Sequence, residues 1–85
     1  MGESVSPEQQ KQIIDVVTAV PEVHKVVTMK TMHLGPTTMI VGIEVNLVDG
    51  LDTDKIETIT DVIEQEIMTI IPSSKKEYIF VEIER

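Results

Sequence analysis

The ten residues from Thr38 to Leu47 read TMIVGIEVNL, and their alternation decides the fold. Met39, Val41, Ile43, Val45 and Leu47 alternate with Thr38, Ile40, Gly42, Glu44 and Asn46. A repeat of two puts the first set on one face of a β-strand, whereas a helix would scatter it around the axis. With the longest apolar alternation in the chain, this is the expected central strand. Asp49-Gly50 breaks it. Asp52 is then a natural helix N-cap, and Asp54 falls in the first turn, where the helix dipole favours an anion. Ile56, Ile59, Ile63, Ile67 and Ile70 step by three and four, with Val62 and Ile71 broadening the stripe. Glu57, Asp61, Glu64 and Glu66 take the outer side, and the pattern predicts a helix over Thr53–Ile71 that Pro72 ends. Beyond Ser73 and Ser74 a last strand is expected over Lys76–Ile83. It carries Ile79, Val81 and Ile83 on one face and Tyr78, Phe80 and Glu82 on the other.

Upstream of the central strand, Leu34-Gly35-Pro36-Thr37 is a turn, which makes Val23–Leu34 the other arm of a hairpin. Simple alternation puts Val27, Met29 and Thr31 on one face of that arm and Val26, Thr28, Lys30 and Met32 on the other. Before it, Ser6 is a good N-cap, Pro7 sits where its missing N–H costs nothing, and Gln9 completes a capping-box spacing. Ile13, Ile14, Val16, Val17 and Val20 then mark a helix over Pro7–Val20 that stops at Pro21. Residues 1–5 carry no periodic signal and read as a linker or chain end; residues 6–85 form the domain. The expected order is α-β-β-α-β. It belongs to the α+β class, a two-layer sandwich with a mixed three-stranded sheet and both helices on one face. Such a fold looks ferredoxin-like without its first strand, and its second sheet face has no covering layer.

Eighty-five residues suffice for one small domain, and 41% hydrophobic with 26% charged residues marks a folding chain and not a disordered one. The formal net charge of -8 argues against nucleic acid and anionic lipid as partners. One Phe, one Tyr and no Trp leave no base-stacking platform. The absence of cysteine excludes a disulfide framework, thiolate metal ligands and a Cys nucleophile, and fits an intracellular setting. No apolar run is long enough to span or insert into a bilayer, and the polar first residues do not read as a signal peptide.

A catalytic constellation is hard to assemble, so an enzyme is not expected. There is no phosphate-binding glycine loop and no H-E-x-x-H, the serines sit at caps and turns, and the helix acids read as a solvated face. His24 and His33, nine residues apart on one strand, would stand about 30 Å apart on opposite sides and cannot share a metal in one chain. His33 beside the turn is the candidate metal ligand, with Glu82, Glu44 or a symmetry mate supplying oxygens. Ile40, Tyr78 and Phe80, on the uncovered sheet face, are the candidate contact surface of a homodimer.

Several stretches taken together resemble one family. They are G-E-S-V-S-P-E at residues 2–8, the run from Pro21 to Thr37 containing M-H-L-G-P-T, G-L-D-T-D-K-I-E at residues 50–57, and I-E-Q-E-I at residues 63–67 followed by Pro72. In order and spacing they look like the C-terminal cytoplasmic domain of cation diffusion facilitator transporters, over nearly the whole chain. The resemblance implies a metallochaperone-like fold and a dimerising, regulatory role beneath the membrane domain of the same transporter, which exports Zn, Mn, Fe, Co or Cd in exchange for protons. It thereby implies the cytoplasmic side of a membrane and a divalent cation such as Zn as possible ligand. Members of that family place metal-binding histidines on all three strands. Aligned on Gly35-Pro36-Thr37, those places here hold Val27, Ile43 and Ile79 or Phe80, so the ligand set does not carry over. The alternative is a stand-alone soluble domain of the same fold that binds metal or senses a small ligand. A copper chaperone's C-x-x-C is absent, and Gly35 and Gly50 alone would have to supply a glycine-rich ligand loop.

Overall fold

A computed structural model describes residues 6–35, 38–72 and 78–84. Its elements run α1 (Pro7–Thr18), β1 (Val23–His33), β2 (Met39–Leu47), α2 (Thr53–Ile70) and β3 (Ile79–Glu84). Both helices begin where their capping residues dictate. The Ser6 hydroxyl accepts the Gln9 N–H at 3.2 Å, with Pro7 in the first turn. Asp52 accepts the Lys55 N–H through Oδ1 at 2.8 Å. Each bond satisfies a helix N–H that has no partner inside the helix.

The sheet order is β1-β2-β3. β1 and β2 form an antiparallel hairpin, and β3 returns parallel to β2 after α2. β2 is therefore central. Its alternation appears directly as burial: Met39, Val41, Ile43 and Val45 are all buried, while Ile40, Gly42, Glu44 and Asn46 between them are only half-buried. The buried set joins Ile13 and Val17 of α1, Ile59, Ile63 and Ile67 of α2, Ile71, Val23 and Ile79 in one core. The two helices contact each other as well as the sheet, α1 against β1 and α2 against β3, so both lie on the same face. The expected two-layer α-β-β-α-β architecture is the one observed.

Four local readings change. α1 ends at Thr18 rather than Val20, and the Thr18 hydroxyl donates back to the carbonyls of Ile14 (2.8 Å) and Asp15 (3.1 Å). The chain then tightens, with the Val20 N–H reaching the Val17 carbonyl at 3.1 Å. Ile14 and Val62, placed on the apolar stripes by sequence, are 38% and 41% exposed; each sits at the edge of a face centred on its neighbour, Ile13 or Ile63. β1 slips register against β2 between Val23 and Lys25 and again between Val26 and Thr28. Each slip leaves one extra residue on β1, His24 and then Val27, and an extra residue reverses every face assignment beyond it. Val26, paired with Val45, consequently packs against the core in the place that plain alternation gives to Val27. Finally, β3 starts at Ile79, with Tyr78 ahead of the strand; residues 73–77, where part of the last strand was expected, lie outside the described residues.

Candidate functional site

The sheet face turned away from the helices is the feature that the core leaves over. Pairing fixes its side chains in four rows running from β1 across β2 to β3. The first is Met32 and Ile40; the second is Lys30, Gly42 and Phe80; the third is Thr28, Glu44 and Glu82; the fourth is Lys25, Asn46 and Glu84. One end is apolar. There Phe80 is 54% and Met32 48% exposed, beside half-buried Ile40. The charges are divided by sign between the two edges. Lys25 and Lys30 stand on the outer strand β1, while Glu82 and Glu84 stand on the outer strand β3 with Glu44 between the two edges.

Three carboxylates on adjacent positions repel one another, and Glu44 bears the consequence. Its carboxyl pKa is raised, first by a hydrogen bond with the Glu84 side chain, then by desolvation, then by the charges of Glu84 and Glu82. The Asn46 amide is turned the same way and donates to the Glu84 carbonyl at 3.1 Å.

The residues expected to form a dimer surface are partly united by this face. Ile40 and Phe80 lie on it in neighbouring rows; Tyr78, half-buried, precedes the strand. Lys25, Lys30, Met32 and Gly42 were not singled out by sequence. The alternation of β2 does place Gly42 with Ile40, but which β1 residues share that face depends on the two bulges.

The candidate metal ligands are not brought together in one chain. His33 pairs with Met39 and so projects on the helix side of the sheet; Glu82 pairs with Glu44 on the open side, several residues along. Among the described residues no group of three or more His, Asp or Glu side chains is arranged to hold a metal ion. The family's three histidine places hold Val27, Ile43 and Ile79 or Phe80. Ile43 and Ile79 are core residues, and Val27 is the bulge residue.

Two concavities lie elsewhere. A cleft of about 510 Å³ opens where β2 and β3 end, lined by His24, Asn46, Leu51, Ile56, Ile83 and Glu84 among others. A shallower groove of about 360 Å³ runs between the C-terminal part of α1 and the start of α2, and is crossed by the Lys55–Glu22 ion pair at 3.2 Å. No helix among the described residues is long and apolar enough to cross a membrane.

No protein-family model matches the chain, and no curated protein does. Solved structures do. A MamM C-terminal domain variant in a nickel form superposes with a TM-score of 0.77 at 14% identity, over 93% of this chain and 96% of that one. A cadmium form gives 0.76 at 15% identity over 92% and 94%, and a copper form 0.75 at 16% identity over 91% and 92%. The likeness runs end to end in both directions, so the fold of this chain is that of the MamM C-terminal domain.

Proposed function

We propose that this chain is the C-terminal cytoplasmic domain of a cation diffusion facilitator transporter, where it joins two protomers and regulates proton-coupled export of a divalent cation. The observation that carries the reading is the end-to-end match to MamM C-terminal domains, which extends past 90% of both chains. The sequence resemblance points to the same family through separate features, the hairpin M-H-L-G-P-T and the capped helix after Gly50. Those neighbours include nickel, cadmium and copper forms, which suits a domain exposed to transition-metal cargo.

In this reading the domain acts by association. Its uncovered sheet face carries exposed Phe80 and Met32 beside Ile40, an apolar patch on a chain of charge -8. A second copy on that face is the partner in this reading, with Tyr78 at its margin, and the membrane domain lies on the same polypeptide. A cation held through His33 or Glu82 must complete its shell from the second protomer or from water, because the two residues stand on opposite sides of the sheet. The test is deletion of residues 1–85 from the transporter, followed by cation efflux and dimer stability in proteoliposomes. Reduced efflux or weaker dimers, with the membrane part still folded, is the expected result. Full efflux, full dimer stability and unchanged cation dependence would leave no regulatory role.

A further inference from the structure

The groove between the two helices is used neither by the core nor by the open sheet face. Its floor is aliphatic, formed by Val16 and Val20 on one side and Ile59 and Val62 on the other. Helical spacing places them there. On α2 the stripe Ile59–Ile63–Ile67 is buried, and Val62 and Glu66, one turn apart, stand beside it on the flank turned to α1. On α1 the buried pair is Ile13 and Val17, and Val16 stands on the flank turned to α2. About 360 Å³ remains between the flanks, and Val62 at its edge is 41% exposed. The small side chain of Ala19 keeps the α1 wall low. The surroundings are acidic. Glu22 and Glu66 line the groove, and across both helices two acids in α1 and five in α2 stand against only Lys11 and Lys55. Lys55 is already bound, to Glu22 at 3.2 Å.

We propose that this groove docks a basic amphipathic helix of a cytoplasmic partner protein, with aliphatic side chains at i, i+3 or i+4 and i+7 seated between Val16 and Val62 and Lys or Arg side chains set against Glu66 and Glu22. Two neighbouring helices with a channel between them present ridges that a third helix can fill. A groove of this kind reads its partner by an apolar stripe of helical spacing. Charge decides between occupants. A second copy would bring the same acids against themselves, and an anionic lipid surface would meet them with like charge. A basic helix offers the opposite sign at the rim, and its flanking charges steer it there. Place in the fold decides the source. The groove is lined from Val16 to Glu22 and from Lys55 to Glu66, at the end of the domain where α1 finishes and α2 begins. The 12 residues of α1 hold it about 18 Å from the helix start, where the chain arrives from the membrane domain in the reading above. The proposal rests on that reading for the partner's compartment alone. An incoming arginine or lysine competes with Lys55 for Glu22, so the ion pair across the groove opposes docking.

Calorimetric titration of a short synthetic helix of leucine and lysine, its leucines at helical spacing, into the 85-residue chain tests this. Nitrogen-15 amide shifts locate the contact, and circular dichroism verifies that each variant is folded. The expected shifts fall on residues 15–22 and 55–66. Val62→Glu should weaken binding roughly tenfold or more, although it adds a negative charge, and Glu66→Lys should do the same. Lys55→Gln should tighten binding by freeing Glu22. If Val62→Glu fails to fold, Ala19→Glu, exposed on the opposite wall, replaces it. Binding that is unchanged or tighter in Val62→Glu, or shifts spread over the open sheet face, would show charge attraction alone and overturn the groove. No binding of the peptide overturns the proposal outright. So does a parent dimer broken by Val62→Glu, which would make a second copy the occupant. The titration uses the domain alone, so the proposal can fail while the transporter reading stands, and failure of that reading is seen in efflux instead.

Discussion

Ile63→Ala is the substitution whose cost the architecture fixes most closely. Ile63 is 0% exposed, in the middle of α2, and belongs to the core cluster that includes Val41 and Val45 of the central strand and Ile13 and Val17 of α1. The change removes three carbons. At about 0.8 kcal/mol for each buried methylene, the transfer loss is roughly 2.4 kcal/mol. A cavity that stays partly open adds about 24 cal/mol per Å³, so about 50 Å³ left unfilled brings the loss to roughly 3.5 kcal/mol. A chain of 85 residues has a total stability on the order of 4–13 kcal/mol, so this one change should remove a large part of it. Urea unfolding followed by circular dichroism, at one fixed protein concentration, measures the difference. The control is its neighbour: Val62, 41% exposed, should cost under about 0.5 kcal/mol on truncation to alanine. A loss below about 1 kcal/mol for Ile63→Ala, or equal losses for the two, would show that α2 is not seated on the sheet by the Ile59–Ile63–Ile67 stripe.

Other expectations concern the open face and metal. The folded-state pKa of Glu44 is raised, so its contribution to stability is fully present below the ordinary glutamate range and is lost as pH rises through its raised pKa. Glu44→Gln should flatten that part of the stability-against-pH curve, and an unchanged curve would contradict the Glu44–Glu84 hydrogen bond. Zinc titrated calorimetrically into the isolated chain should bind weakly, because the described residues present no preformed ligand group; submicromolar affinity abolished by His33→Ala would overturn this. Val41→Asp should abolish folding in circular dichroism, since a carboxylate would enter a core position that is 0% exposed, and a folded variant would remove β2 from the centre of the sheet.

The fold was legible because its periodic signals are long and their punctuation is local. Ten residues of alternation define β2, five isoleucines at steps of three and four define α2, and Ser6 and Asp52 sit where a cap is needed. What escaped the sequence depends on pairing. In the Val-rich start of β1, Val26 and Val27 are equally suited to the core, and only the bulges decide between them. The same holds for the candidate ligands. His33 and Glu82 each have a definite parity within their own strand, but the relative parity of β1 and β3 exists only through the register each makes with β2. The charge-sorted edges were illegible for that reason too, since Lys25 and Glu84 lie 59 positions apart in sequence and share a row only through Asn46. The α1 terminus was misplaced because the tightening of the last turn, where the Val20 N–H bonds the Val17 carbonyl, leaves no mark in apolar periodicity.

The central claim is that the open sheet face works by holding two transporter protomers together. It is tested most directly by cation efflux from proteoliposomes carrying the transporter with Phe80→Glu. Phe80 is exposed and outside the core, so the domain should remain folded while its association is lost. The account predicts that efflux falls to the level of the transporter lacking residues 1–85. Unchanged efflux from a transporter whose domains no longer associate would contradict it.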